Sequence, residues 1–258
     1  MKKYNKVFKL KIINDYYATY TEHYKRMLNQ RPSSQLIEDD FDAYAFDRPW
    51  ISTLEKNSPI LDIGCGYGHQ IFILNKLGFS NLSGVEVTEV SFKIAVEEVG
   101  SFSKLQFIDA FDYLNETNET FSVVILNDVL EHIPRERTVE ILRAIYNVLR
   151  PGGVLSVRVP NMSSLLSSYS MYLDFTHLVG FTEFSLMQVF DLAGFSNHQV
   201  VHKKRKIKIR SWRPWSPLRG LGLTSIANEY LHKILYRLRS QTPLPTVFDY
   251  NLEMWTKK

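Results

Sequence analysis

The sequence predicts an α/β protein built on a doubly wound, mainly parallel sheet of seven strands. Short apolar runs that read as buried strands alternate with amphipathic segments along most of the chain, and the connections between them are short. The first run is followed by a turn with glycines at positions 64, 66 and 68, and the second run ends in the carboxylate of Glu86. In a parallel sheet these features meet at the carboxyl edge, where such folds bind their ligands.

The individual elements follow from the same alternation. The predicted elements, in chain order, are strand 59–63, helix 70–77, strand 82–86, helix 90–98, strand 105–108, strand 121–126, helix 137–149 and strand 154–159. A helix over 183–192 follows, with Thr182 as its N-cap and Gly194 at its end. Two further strands, over 199–209 and 248–256, are expected to form the antiparallel pair that ends the sheet.

Two segments lie outside this predicted sheet. Residues 1–57 are rich in Tyr and Phe, and three of the tyrosines are spaced three and four apart, which places them on one helix face. Residues from about 210 to 245 form an insertion before the last strand. The sequence therefore predicts a domain over 58–258 that carries a helical N-terminal segment and a basic helical insertion.

Length and composition exclude several classes of protein. With 258 residues and 45% hydrophobic content, the chain can bury a full core. Cys65 is the single cysteine, so no intrachain disulfide can form, and a reducing compartment, by default the cytoplasm, is expected. The sequence has no run of about eighteen apolar residues that would cross a membrane.

The glycine turn has two interpretations. A nicotinamide or flavin dinucleotide fold carries the fingerprint G-x-G-x-x-G with a similarly placed acid. Here His69 stands where that motif packs a third small residue, and Asp62 would repel a pyrophosphate. Asp62 suits a cationic ligand better. The whole segment from Asp62 to Glu86 resembles motif I of the class I S-adenosylmethionine methyltransferases.

That resemblance implies a Rossmann-like methyltransferase fold, S-adenosylmethionine as the cofactor, and methyltransferase activity. It places Glu86 as the acid that binds the ribose, and Asp109 as the acid that accepts from the adenine amino group and can also cap a helix. It further implies that residues 1–57 form a helical lid over the cofactor. The predicted cofactor contacts are Asp62, Gly64, Cys65, Gly66, Glu86, Val87, Asp109, Ala110 and Asn127.

Two groups of histidines and acids follow the later strands. The spacing of Asp128, Glu131 and His132 places all three on one face of a helical turn after a central strand. Asp174 and His177 are expected on the same rim. Because methyl transfer to an alcohol requires loss of the hydroxyl proton, and neutral imidazole is a natural base, His132 and His177 are candidate bases. Asp174 or Glu131 would orient a ring, and the predicted catalytic residues are His132, His177 and Asp174.

A metal ion offers a second interpretation of the same residues. Two carboxylates and two imidazoles could hold Mg²⁺ or Mn²⁺, which would bind both hydroxyls of a vicinal diol. The spacing is similar to the metal-binding residues of ubiquinone-pathway O-methyltransferases and of small-RNA 2′-O-methyltransferases. The candidate ligands are Asp128, Glu131, His132 and His177. The base and the metal interpretations both remain open.

Positive charge is concentrated in one block. Residues 197–219 contain eight Lys or Arg residues and no acid, with Trp212 and Trp215 interleaved, and an apolar helical pattern over 221–238 follows. A solvated edge strand, a membrane-surface element and a nucleic-acid surface are each compatible with this composition. The region 203–239 is thus a candidate for peripheral contact with membrane lipid.

The order of the later motifs resembles methyltransferases of bacterial surface-polysaccharide and glycolipid assembly. The matching elements, in order, are Asp174, Thr176 and His177, then Phe181 and Thr182, then Ala193, Gly194 and Phe195, then the basic insertion, then Asn251 and Leu252. The resemblance implies an O-methyltransferase that acts on a sugar hydroxyl of a glycan or a lipid-linked saccharide, in the cytoplasm or at the inner membrane face. Nucleic acid is not the expected partner. The alternatives are an RNA ribose 2′-O-methyltransferase and a binding protein without turnover.

Overall fold

The computed structural model of the protein describes residues 48–202, 223–239 and 243–258. Residues 1–47 of the predicted lid over 1–57 therefore lie outside the described residues, as does the basic stretch from Lys203 to residue 222, whereas Trp50 and Ile51 of that segment pack in the core of the domain. The division into a lid and a domain that begins at residue 58 stays a prediction.

Seven strands in the described residues form one sheet. They are β1 Ile60–Ile63, β2 Leu82–Glu86, β3 Lys104–Phe107, β4 Phe121–Asn127, β5 Leu149–Pro160, β6 Ser196–Val200 and β7 Asn251–Lys257. Their order across the sheet is β3-β2-β1-β4-β5-β7-β6. Neighbours from β3 to β5 are parallel, and β7 runs antiparallel between β5 and β6. The predicted doubly wound sheet with an antiparallel edge pair is confirmed.

Helices cover both faces of this sheet. They are α1 His69–Lys76, α2 Glu89–Val99, α3 Ala110–Glu116, α4 Arg135–Val148, α5 Ser167–Leu173, α6 Glu183–Ala193 and α7 Leu223–Leu238. Ile71 of α1 and Ala95 of α2 pack in the apolar cluster on one face. Phe111 of α3, Ile141 of α4 and Phe190 of α6 pack in the cluster on the other face.

The central strands β1 and β4 are apolar along nearly their whole length because helices cover them on both sides. All four residues of β1 are buried, and Asp62 is the one acid among them. A buried carboxylate in such a strand is costly unless it serves a ligand or a partner. The position of Asp62, one residue from the carboxyl end of β1, marks the edge of the sheet where the site is found.

The capping signals around α6 are confirmed. The Ser185 N–H donates to Thr182 Oγ1, and the Ser185 side chain in turn accepts from the Thr182 N–H, which makes a capping box. Gly194 ends the helix with a φ of 98°, a left-handed conformation that favours glycine.

Two predicted strand boundaries were wrong. β5 begins at Leu149 rather than at residue 154, because Leu149 pairs with Phe121 and the register then shifts before Val154 pairs with Val123. Gly152, with a φ of 73°, lies in this irregular stretch, so the chain between the predicted helix and strand is a kink inside a longer strand. β6 begins at Ser196, earlier than predicted, and residues 203–209 of the predicted strand lie outside the described residues.

The insertion before β7 contains the helix α7, as its apolar spacing predicted. Within the described ranges, no helix combines the length and the apolar character that crossing a membrane would require.

Candidate active site

The glycine turn connects β1 to α1 in a conformation that only glycine adopts without strain. Gly64, Gly66 and Gly68 have φ angles of 67°, 54° and 81°. A Cβ on Gly64 would lie 2.5 Å from the Val129 side chain, whereas a Cβ on Gly66 would meet nothing within 4 Å. Gly64 is therefore needed for packing as well as for its backbone angle, and Gly66 leaves open space beside the backbone.

Hydrogen bonds to Glu86 hold this turn against the end of β2. Its Oε2 accepts from the Gly66 N–H at 2.9 Å, and its Oε1 accepts from the N–H groups of Val87 and Thr88 at 2.9 and 2.7 Å. A carboxylate offers about four lone-pair directions, so Oε2 can accept one further bond from a ligand hydroxyl. Glu86 thus lies where the predicted ribose-binding acid should lie, and it also orders the loop around it.

A cavity of about 670 Å³ opens at this edge of the sheet. It brings together every predicted cofactor residue and every predicted catalytic or metal residue. Its lining includes Asp62, Gly64, Cys65, Gly66, Glu86, Val87, Asp109, Ala110, Asn127, Asp128, Glu131, His132, Asp174 and His177. The sequence therefore identified both walls of one cavity.

Asp62 is an acid held in an unfavourable place for its charge. Burial raises the pKa of Asp62 to about 8, the positive charge of Arg158 opposes that rise, and Glu86 adds to it. A cationic ligand in the cavity would favour the ionised form. Burial and the two nearby acids also raise the pKa of the Cys65 thiol well above its usual value, so this thiol remains protonated.

Two predicted cofactor residues at the strand ends have polar partners. Asp109 caps α3, with its Oδ1 accepting from the Phe111 N–H at 2.8 Å. The Asn127 amide at the end of β4 donates to Gln70 Oε1 at 3.0 Å. Asp109 therefore fills the capping role predicted for it, and its adenine contact stays a prediction.

Asp128 does not take the position predicted from its spacing. The predicted helical turn is instead a 3₁₀ turn over Leu130–His132, and Asp128 precedes it with a φ of 57°. The Asp128 carboxylate pairs with the Arg158 guanidinium of β5, and the Asp128 N–H donates to the Arg158 carbonyl at 2.8 Å. The prediction that all three side chains share one helix face was wrong for Asp128.

Glu131, His132 and His177 do meet, on the wall opposite Glu86. One possible ligand atom from each residue lies within 4.8 Å of the others. The two imidazole rings are 4.8 Å apart between centroids, and Glu131 Oε1 lies 4.0 Å from His177 Nε2. The Glu131 side chain is 1% exposed, and among the described residues neither of its carboxylate oxygens has a hydrogen-bond partner.

Main-chain carbonyls determine which nitrogen of each ring carries the proton. His132 Nδ1 lies 3.2 Å from the Thr176 carbonyl, and His177 Nδ1 lies 3.1 Å from the Ser170 carbonyl. Because a carbonyl oxygen only accepts, each Nδ1 is the donor. Both neutral rings therefore carry their lone pair on Nε2, the nitrogen used for accepting a proton or binding a metal.

Asp174 contacts His132 through Thr176. It accepts from the Thr176 N–H at 2.8 Å and from Thr176 Oγ1 at 2.7 Å, and Thr176 Oγ1 lies 2.8 Å from His132 Nδ1. The sequence predicted that Asp174 would orient a ring directly. The structure instead gives a chain from Asp174 through Thr176 to His132.

The pKa values of Glu131 and His132 are strongly shifted from their usual values. Burial, together with Asp128, raises the pKa of Glu131 well above its usual value. Burial, together with the neighbouring His177, lowers the pKa of His132 to about 4. His132 is therefore neutral at pH 7, with its lone pair on Nε2.

Sequence reasoning assigned no role to Arg158 or Thr176. Arg158 is the one charged residue in the apolar run of β5, and an ion in a buried strand is a signal that could have identified it. Thr176 has no comparable signal, because its importance depends on a contact with His132, which is 44 residues away in the chain.

The family model of the methyltransferase domain matches residues 34–200 of the chain. This chain belongs to that family. The predicted fold and family are confirmed, and so is a methyltransferase domain of the S-adenosylmethionine-dependent kind. The resemblance to polysaccharide and glycolipid methyltransferases stays a prediction.

Curated relatives match only part of the chain. A ubiquinone biosynthesis O-methyltransferase of Hydrogenovibrio crunogenus is 30% identical over 121 residues, which is 46% of this chain and 47% of the relative. A ribosomal protein L11 methyltransferase of Thermotoga neapolitana is 30% identical over 102 residues, which is 36% of this chain and 39% of the relative. The chain thus spans less than half the length of these relatives.

Solved structures share the fold over more of the chain. A methyltransferase from Archaeoglobus fulgidus has a TM-score of 0.59 at 22% identity and covers 86% of this chain and 97% of its own. The magnesium protoporphyrin IX methyltransferase of Synechocystis, solved with bound S-adenosylmethionine, has a TM-score of 0.56 at 14% identity and covers 96% of each chain. At these identities the likeness establishes the fold alone.

Proposed function

We propose that the protein is an S-adenosylmethionine-dependent O-methyltransferase that acts on a sugar hydroxyl and holds a divalent cation, Mg²⁺ or Mn²⁺, on Glu131, His132 and His177. One observation carries the proposal. The buried Glu131 carboxylate, which accepts no hydrogen bond in the described part of the chain, faces two imidazoles whose Nε2 lone pairs are fixed by carbonyls at Nδ1.

The donor set fits a cation on physical grounds. A buried, ionised carboxylate without a partner is expensive, and a protonated Glu131 would lie too far from His177 Nε2, at 4.0 Å, to donate to it. Carboxylate oxygen and imidazole nitrogen are ligands of divalent metals, and the bonds at each Nδ1 are the orienting contacts typical of metal-binding histidines. Asp128, paired with Arg158, is left out of the proposed ligand set.

The cation would bind a substrate hydroxyl and lower its pKa. The residues of the chain provide the positioning. The glycine turn and Glu86 hold the cofactor, Asp62 favours its positive charge, and Thr176 and Ser170 hold the two imidazoles. Methyl transfer forms a carbon–oxygen bond and breaks the carbon–sulfur bond, the electron pair of which remains on sulfur, and the hydroxyl proton is released to solvent water.

The proposal of a sugar acceptor is supported by three further side chains that line the cavity. Arg158, Tyr250 and Asn251 line the cavity beyond the histidines. A guanidinium, an amide and a half-exposed aromatic ring are side chains suited to hydrogen bonds with a sugar and stacking against it. The names of the ubiquinone-pathway relatives favour a second candidate acceptor, a hydroxyl group of a quinone precursor, for which catechols serve as probes.

Cofactor binding is tested first, by calorimetry with S-adenosylmethionine. One site per chain is expected, and Glu86→Ala should abolish the binding. Binding of NADH or FAD in place of S-adenosylmethionine would contradict the proposal.

Turnover is tested with labelled S-adenosylmethionine and separate panels of glycans and sugar nucleotides, catechols, and total RNA. Activity should be lost in excess EDTA and restored by Mg²⁺ or Mn²⁺. Full activity in EDTA would remove the cation and leave His132 or His177 as the base. Methylated catechol or RNA without methylated sugar would overturn the proposed acceptor, and binding without transfer to any acceptor would favour the non-enzymatic alternative.

A further inference from the structure

Over residues 229–239, where the structure describes the side chains, helix α7 turns its apolar side outward. Its inward side carries His232, which is 0% exposed and whose Nε2 accepts from the Leu165 N–H at 2.6 Å. One turn further on, the Tyr236 hydroxyl donates to the Ser163 carbonyl at 3.2 Å. On the opposite side, Tyr230, Ile234 and Leu238 follow one another at intervals of four residues and are 65%, 54% and 76% exposed.

This arrangement reverses the usual one for a surface helix. An amphipathic helix on a globular protein normally buries its apolar stripe against the core and exposes its polar side. Here Leu231 and Leu235 widen the outward stripe, and both are exposed. A contiguous apolar surface of this kind marks a place where something else binds.

A second group of exposed aromatic side chains lies on and after α5. Tyr169, Tyr172 and Phe175 recur at intervals of three residues, and Tyr172 and Phe175 are 84% and 81% exposed. Their neighbours Leu173 and Asp174 line the active-site cavity. The exposed aromatic residues therefore lie beside the mouth of the site. Two hydrogen bonds, from the Leu165 N–H to His232 and from the Tyr236 hydroxyl to the Ser163 carbonyl, hold α7 against the segment that leads into α5.

Cations border the apolar stripe of α7. Arg237 lies next to the stripe on one side and Arg239 on the other, and both side chains are exposed. The sequence that leads into this helix, residues 203–219, adds eight Lys or Arg residues without an acid. Aliphatic and tyrosine side chains flanked by Arg are the composition of helices that lie in the plane of an anionic membrane surface.

We propose that a surface formed by Tyr169, Tyr172, Phe175, Tyr230, Ile234 and Leu238, here called the α5–α7 surface, docks on an anionic lipid bilayer. The aliphatic residues favour acyl chains over RNA, since RNA-binding surfaces stack bases on aromatic rings and do not require Ile or Leu. This proposal is independent of methyl transfer. Together with the proposed function, it places the mouth of the active site at the membrane, where a lipid-linked saccharide would be presented.

The first test is flotation of the full chain with vesicles of phosphatidylcholine alone or with a third of phosphatidylglycerol. We expect binding to the anionic vesicles that weakens as salt is raised. The double substitution Ile234→Ser and Leu238→Ser should lower the partition coefficient at least about tenfold, since each removes a side chain buried in lipid. Val96→Ser with Leu192→Ser, which removes two exposed apolar residues from α2 and α6, should leave it unchanged. Equal binding by both double variants would overturn the proposal.

The second test identifies what covers the helix. A photoreactive benzophenone amino acid at position 234 is irradiated in the presence of anionic vesicles and total RNA. Adducts with lipid support the proposal. Adducts mainly with RNA, with a second copy of the chain or with residues 1–47 of the same chain would overturn it.

Discussion

Each of the two walls of the cavity carries a buried glutamate, and the two glutamates differ in their hydrogen bonds. Glu86 accepts three main-chain N–H groups, whereas Glu131, within the described residues, accepts none. The first is bound into the loop that it orders, and its charge is compensated before any ligand arrives. The second is buried, and neither of its oxygens accepts a hydrogen bond within the described residues. A carboxylate satisfied by its own chain stabilises the fold, and one left unsatisfied indicates a ligand.

The largest expected effect comes from Glu131→Gln. The substitution removes the charged ligand of the proposed cation, and we expect turnover to fall about a thousandfold, with the affinity for S-adenosylmethionine unchanged. In EDTA the same variant should have a higher free energy of unfolding near neutral pH, because a neutral amide replaces an uncompensated buried carboxyl. Steady-state kinetics and urea denaturation measure the two quantities.

Glu97→Gln on α2, where the side chain is exposed, is the matched control and should change neither quantity. If Glu131→Gln lowered stability in EDTA, Glu131 would have a partner in the folded protein, and the contrast with Glu86 would fail.

The same substitution on the other wall should act in the opposite direction. Glu86→Gln replaces one acceptor oxygen by an NH₂ group that faces main-chain N–H donors. We expect the free energy of unfolding to fall by about 2 kcal/mol and the affinity for S-adenosylmethionine to fall about a hundredfold. Calorimetry and denaturation measure both. Retention of affinity would show that Glu86 only orders the loop and does not contact the cofactor.

The cofactor wall could be predicted because its signals are local. Asp62, the glycine turn and Glu86 lie within one strand-helix-strand unit, and the angles that require glycine are set by neighbours in the chain. The other wall depends on distant contacts. Asp128 was misplaced because the register of β4 and β5 brings Arg158 beside it, and Thr176 is paired to His132 across two elements.

Helix α7 shows the same limit. Its periodicity predicted a helix correctly, but periodicity alone does not say which side is buried. The inward side is set by the bonds of His232 and Tyr236 to residues 165 and 163, which lie about seventy residues earlier in the chain.

Asp62, on the same wall as Glu86, should make the stability of the protein depend on pH. Because its pKa is about 8 in the folded protein against 3.8 ordinarily, the folded state binds this proton more tightly than the unfolded chain. The contribution of Asp62 to stability is therefore greatest at low pH and falls as the pH rises from about 4 to about 8. Asp62→Asn should be more stable than the parent at about pH 8, by about 5 kcal/mol at about 1.4 kcal/mol per pKa unit, and equally stable at about pH 4.

Denaturation of the protein without cofactor, over that range of pH, measures the difference. Asp112→Asn, on the exposed side of α3, should follow the parent at every pH. A constant offset between Asp62→Asn and the parent at all pH values would mean that Asp62 does not titrate in this interval.

Thr176 offers the finest test, because it should affect the position of an imidazole without touching the substrate. Thr176→Val removes the hydroxyl between Asp174 and His132 but keeps the main-chain carbonyl that holds the proton on His132 Nδ1. We expect kcat to fall about five- to tenfold, in line with about 1 kcal/mol for one hydrogen bond, with the KM for S-adenosylmethionine unchanged. Thr176→Ser should restore kcat, and Asp174→Asn should add little to Thr176→Val because both act through the same chain of bonds. If the two losses multiplied, Asp174 would act on the site by a route other than Thr176, and the chain from Asp174 to His132 would have to be abandoned.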